Sequence, residues 1–147
     1  TVREFLSTKF MQKRLPLIME AVVGAGVPHC VLMSAYGVGD TVRSASFLMR
    51  VACKTIMRSI FRDRAKADAM VAKYQPYISR ALPGRLTDEP GKGGAKVVDV
   101  TSVAHVPGIP TIAREDVADA LLDIAGDPLN AGTDFLVTIE DVVIRAA

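Results

Sequence analysis

The sequence predicts an α/β fold, a doubly wound parallel sheet with helices on both faces. Three observations lead there. Residues 29–34, 77–82 and 133–138 have strand length, and the first is a continuous apolar run, the pattern of a parallel strand covered on both faces. Segments with helical periodicity separate them. The long stretch between the first two runs is sufficient for the crossover that parallel neighbours need.

Taken in order, Leu15, Ile18, Met19, Val22 and Val23 recur at helical spacing, and Gly26 with Pro28 stops the pattern, which puts a helix end near Ala25. Pro16 fits its first turn. The first strand, residues 29–34, follows at once. Residues 44–73 hold no proline or glycine and read as two helices or as one with a break. After the second strand come a Pro-Gly turn, a polar glycine-rich loop through Gly94 and a β-prone segment at 96–101. Residues 114–124 form an amphipathic helix with Thr111 or a neighbour as its cap. Residues 133–138 give a strand, and 139–145 a short terminal helix. The order αβαβ(β)αβα contains no internal repeat and no low-complexity segment.

Bulk properties bound the function. A length of 147 residues makes one domain with a real core, and a hydrophobic content of 50% lies at the upper end of ordinary globular composition. A net charge of +2 gives no footprint for nucleic acid, and no run of about 18 apolar residues marks a membrane span. Cys30 and Cys53, with no Cys-x-x-Cys, predict neither a disulfide framework nor a metal site. Cys30 reads as a small buried hydrophobe, and the composition fits a reducing, cytoplasmic compartment.

Two strand ends carry the chemistry. One runs into Ser34, Ala35 and Tyr36; the other runs into Pro83, Gly84, Arg85 and Leu86, then Thr87 and Asp88. In open α/β sheets the ligand crevice lies beyond such carboxyl ends. Gly91, Gly93 and Gly94 lack the spacing of a phosphate-binding P-loop, and no Ser or Thr follows Lys92.

Those ends, with the helix opening Arg114-Glu115-Asp116-Val117-Ala118, carry a family resemblance over residues 16–143. The chain resembles the carboxyl-terminal half of an atypical short-chain dehydrogenase, in the branch of NAD(P)H-binding, NmrA-like and flavin or biliverdin reductase-like proteins. The resemblance implies a Rossmann-like domain lacking its amino-terminal half, NADP or NAD as cofactor, and a dinucleotide and a small molecule as partners, in a chain that could form a homo-oligomer. It implies that Ser34 hydrogen-bonds a substrate carbonyl or the nicotinamide carboxamide, that Tyr36 is a catalytic candidate beside it, and that Ala35, Tyr36, Pro83, Gly84, Arg85 and Leu86 run past the cofactor. Lys66 enters because related reductases can carry a lysine on this crossover helix.

The sequence departs from the family in three places. Leu82 stands where the family often has arginine, and no lysine stands four residues after Tyr36, Tyr74 or Tyr77 to lower a tyrosine pKa. No Gly-x-Gly-x-x-Gly turn is encoded, since Gly24 and Gly26 lead into Val27, Pro28 and His29. With its start at Thr1, the chain reads as a fragment. The implied function is an NAD(P)H-dependent oxidoreductase; the alternatives are a non-catalytic NmrA-like dinucleotide sensor and a nucleotide-sugar epimerase relative.

Other polar groups have plainer readings. Arg50, Lys54, Arg58, Arg62 and Lys66 recur every four residues, about 40° more than one helical turn. The stripe winds around the helix, cannot all face one ligand and reads as a solvated face. His105 reads as exposed, and Arg114, Asp116 and Asp119 as a helix start whose arginine ties down the preceding loop.

Overall fold

A computed structural model describes residues 9–55 and 58–145. Its core is a sheet of four strands, β1 (Cys30–Met33), β2 (Ile78–Pro83), β4 (Lys96–Asp99) and β7 (Asp134–Thr138). They lie in the order β1-β2-β7-β4. The first two pairings are parallel and β4 joins β7 antiparallel, so the β-prone segment becomes an edge strand of opposite sense. Four short strands sit outside this sheet: β3 (Arg85–Thr87) pairs with β6 (Thr111–Ala113), and β5 (Val103–His105) with β8 (Val143–Ile144).

Because side chains alternate across a strand, Ile78, Arg80 and Leu82 share one face and Ser79, Ala81 and Pro83 the other. On the first face lie α1 (Phe10–Gly24) and α3 (Arg58–Val71), whose Leu15, Met19, Ala67 and Val71 pack on Ile78. The same face carries a second apolar cluster, in which Leu82 and Leu136 meet Tyr36, Ala45 and two residues of α2 (Phe47–Lys54), Met49 and Cys53. On the opposite face α4 (Arg114–Gly126) sets Val117, Ala120 and Ile124 on Ala81, Phe135 and Val137. Helices on both faces of a mainly parallel sheet are the doubly wound arrangement expected from the sequence.

Several elements follow their sequence signals closely. The stop of α1 is a glycine cap: Gly26 has φ +71°, and Val27 N–H reaches back to the Val22 carbonyl at 3.2 Å. The proline-free stretch does divide, into α2 and α3, with residues 56–57 outside those described. The five cations at four-residue spacing are all exposed, and so is His105.

Four expectations are corrected. The run at 29–34 becomes β1, an edge strand with a single neighbour among the described residues; Val31 packs toward α4 and Cys30 and Leu32 toward α1 and α3, so both faces are covered, but only partly, and Met33 is 45% exposed. An apolar run marks strand identity but cannot tell how many neighbours the strand has. Pro16 lies inside α1, beyond its first turn, where it cannot donate to the carbonyl four residues back. No side chain caps α4, whose N-cap is Ala113, because Thr111 is engaged in β6. The predicted terminal helix is absent: Val143 and Ile144 pair with β5. Those β-branched residues suit a strand better than a helix end.

Candidate functional site

The parallel pairing of β1 with β2 does not stop at the strand ends. Ser34 N–H donates to the Ala81 carbonyl at 2.8 Å and Tyr36 N–H to the Pro83 carbonyl at 2.9 Å. Ser34, Ala35 and Tyr36 therefore lie alongside Pro83 at the carboxyl edge of the sheet. Gly84 turns the chain away into β3, where Arg85 N–H donates to the Pro110 carbonyl at 2.8 Å, Arg85 is exposed and Leu86 packs under α4.

The Ser34 hydroxyl donates to Asp68 Oδ2 at 2.8 Å and accepts from Arg64 Nε at 3.2 Å. Arg64 also holds Asp68 Oδ1 at 3.1 Å and donates to the Met33 carbonyl. A serine hydroxyl has one hydrogen and two lone pairs. With its hydrogen on Asp68 and one lone pair on Arg64, Ser34 keeps one acceptor position, which suits an incoming N–H. Donation to a carbonyl requires giving up Asp68.

Asp68 in turn lies 3.5 Å from Arg80, which makes a forked pair with Asp134 through Nε at 2.9 Å and through Nη2. The hydrogen bond to Asp134 is the main cause that raises the Arg80 pKa against the opposing effect of burial. Arg64, Asp68, Arg80 and Asp134 do not figure in the sequence reading. One signal was present: a charge in the middle of an apolar strand is costly unless paired, so Arg80 required a carboxylate nearby.

Tyr36 is 1% exposed, its hydroxyl 2.9 Å from Ser44 Oγ, and that oxygen bonds onward to the Thr41 carbonyl. Burial raises its pKa above the ordinary 10.0, against the opposing hydrogen bond to Ser44. Since the folded state disfavours the phenolate, its contribution to stability is present below the unfolded pKa and is lost as pH rises through 10 and beyond. Ultraviolet titration should show one phenol ionising above pH 10, absent in Tyr36→Phe; unchanged titration in the variant would contradict the burial.

Lys66 is not brought to Ser34. It is exposed on α3 and faces a separate cleft with Lys9, Gln12 and Asp63, between the amino ends of α1 and α3. Arg64 is the cation of α3 that reaches the strand ends.

A family model described as NAD(P)H-binding matches residues 7–128. The chain belongs to the NAD(P)H-binding family. The cofactor class expected from the sequence, NADP or NAD, is thus the one this family binds. Solved structures show the same fold. A protein described as an NAD-dependent epimerase/dehydratase from Bacillus halodurans is 20% identical with a TM-score of 0.67, over 86% of this chain and 53% of its own. A short-chain dehydrogenase/reductase from Veillonella parvula DSM 2008, solved with NADP, is 16% identical with a TM-score of 0.69, over 84% and 56%. ChuY, an anaerobillin reductase from Escherichia coli O157:H7, is 19% identical with a TM-score of 0.63, over 86% and 57%. The chain spans little more than half the length of these structures. No curated protein sequence matches it significantly.

For an NAD(P)H-binding chain, the test is which end of a dinucleotide its residues suit. The remaining lone pair of Ser34 can accept one N–H. The glycine-rich loop has other partners: Glu115 and Asp116, in the first turn of α4, accept from Gly91 N–H at 2.8 Å, Lys92 N–H at 3.1 Å and Gly93 N–H at 2.8 Å. Arg114 holds Asp88 at 2.7 Å, the loop-tying role its place in the sequence implies. Two carboxylates already occupy the backbone donors of Gly91, Lys92 and Gly93 that could have met a phosphate. Asp116→Ala should release this loop at a cost of about 1–3 kcal/mol, read as a lower thermal midpoint and faster amide exchange at Lys92 and Gly93. Unchanged exchange would refute the clamp.

Proposed function

We propose that this chain is the nicotinamide and substrate side of an NAD(P)H-dependent oxidoreductase of the atypical short-chain type. The observation that carries the reading is the side-by-side arrangement of Ser34–Tyr36 and Pro83 at the carboxyl edge of two parallel strands. The bound dinucleotide supplies a hydride. Ser34 orients the carboxamide through its free lone pair, Arg64 and Asp68 fix that hydroxyl, and the backbone at Ala35, Pro83 and Gly84 borders the ring. The open edge of β1 is where a further strand, and with it the turn that holds the pyrophosphate, would join. NADP or NAD are equally served by this half, since the ribose-reading residues belong to the other.

The chain alone is then expected to bind NADP(H) and NAD(H) weakly or not at all. Calorimetric titration is the check, and micromolar binding by the 147 residues would place the site differently. In a protein that also contains the glycine-rich half, Ser34→Ala should lower turnover more than dinucleotide affinity, by about 1–3 kcal/mol. Parent-like turnover would remove Ser34 from the mechanism.

A second reading, a dinucleotide sensor of the NmrA-like kind, is favoured by the burial of the Tyr36 hydroxyl against Ser44. With no lysine four residues on, no tyrosine here is set up as a proton donor. NADPH oxidation dependent on added flavin or quinone supports the enzyme; tight binding without turnover supports the sensor.

A further inference from the structure

Three of the five regularly spaced cations gather at one cleft. The chain breaks after α2, at Thr55, and α2 and α3 fold against the segment 37–42, leaving a cleft of about 520 Å³ between them. Lys54, Arg58 and Arg62 stand around it, whereas Arg50 does not line it and Lys66 borders a different cleft, which Arg62 borders as well. Val42, Cys53 and Phe61 supply apolar lining, and burial raises the Cys53 pKa, which keeps the group a neutral thiol. No acidic residue lines the cleft among the described residues, and none of the three cations is in an ion pair with a described carboxylate. Gly37, three residues beyond Ser34, lines the cleft, as does Ala65, next to the Arg64 that holds Ser34.

We propose that this cleft binds a small amphipathic carboxylate, its apolar body on Val42 and Phe61 and its carboxylate between Lys54, Arg58 and Arg62. Arg58 and Arg62, four residues apart on α3, repel each other when uncompensated, and a bound anion removes that repulsion. Guanidinium groups match a carboxylate in a forked geometry, while an apolar lining of this volume selects against a small hydrated ion. The inference rests on the proposed oxidoreductase only in taking this ligand as its substrate.

The probe is 2-naphthoate, compared with neutral 2-naphthamide, titrated into the 147-residue protein without dinucleotide. Naphthoate should bind at least tenfold more tightly than the amide, and that advantage should shrink as salt rises. In the double variant Arg58→Gln/Arg62→Gln, whose side chains are exposed and whose folding is verified by its thermal midpoint, the advantage should fall about tenfold. Equal binding of the two probes, or an unaltered preference in the variant, overturns the proposal. So does displacement of naphthoate by NADP, which would give the cations to the dinucleotide. The wild-type salt series keeps the test decisive if the variant fails to fold. Naphthoate discrimination in a protein that never turns over NADPH upholds the cleft and removes the oxidoreductase; turnover without discrimination does the reverse.

Discussion

Replacing Arg80 with methionine is expected to lower the unfolding free energy by about 2–3 kcal/mol, the loss from breaking a largely buried pair and leaving its partner uncompensated, reduced for partial exposure. The Arg80 side chain is 29% exposed and that of Asp134 20%, while Asp68 is 4% exposed. Arg80 sits between two apolar clusters on one face of the sheet, with Ile78 in one and Leu82 in the other. Its forked bond to Asp134 is also a cross-strand pair, since the two residues are in register in the β2–β7 ladder. Removing the guanidinium leaves the Asp134 carboxylate without its bidentate partner, whereas Asp68 keeps Arg64 and Ser34. Urea unfolding should show a lower midpoint with unchanged slope. The double variant Arg80→Met/Asp134→Leu should recover most of the loss, because it removes the orphaned charge with its partner. A double variant as unstable as the single one would show that packing, and not charge pairing, sets the cost.

Gly84→Ala should cost about 3 kcal/mol, at the upper end of overpacking penalties. A Cβ at this position would lie 2.2 Å from the Pro110 carbonyl oxygen and 2.8 Å from its carbon, and that backbone cannot rotate away as a side chain can. The same carbonyl accepts from Arg85 N–H, the bond that starts the β3–β6 pairing. The substitution should therefore unpair residues 85–87 and expose Leu86 and Ile112, seen as a lower thermal midpoint and fast exchange of the Arg85 amide. A variant with protected Arg85 and parent-like stability would refute the close approach. Gly84 thus has a packing reason to be glycine that is independent of any ligand.

The fold was legible because its signals are local. The apolar runs, the glycine cap at Gly26 and the proline-free stretch each report on a few neighbouring residues, and those elements stand where expected. What was not legible depends on partners distant in sequence. Nothing near residue 30 shows that β1 has a single neighbour among the described residues. Val143 and Ile144 form a strand only because β5 is there to receive them. At the site, the adjacency of Ser34 and Pro83 could be anticipated from two strand ends in one parallel sheet. The network around Ser34 could not, because Asp68 lies 34 residues away and its approach depends on how α3 docks. The cation stripe is exposed as read and its five members do not share one site; what the sequence could not show is that α2 and α3 part at Thr55 and leave a cleft lined by Lys54, Arg58 and Arg62.

The sheet order also constrains when the protein can fold. β7, the last of the four main strands in the sequence, lies between β2 and β4. Chain emerging from a ribosome amino end first therefore presents both outer neighbours before the strand that joins them, and the Arg80–Asp134 pair must close a separation of 54 residues. Until residues 134–138 arrive, β2 has one exposed edge and Arg80 lacks its forked partner. Long-range pairing of this kind pays its loop-closure entropy before any ladder bond rewards it, so closure of the sheet is expected to come late in folding.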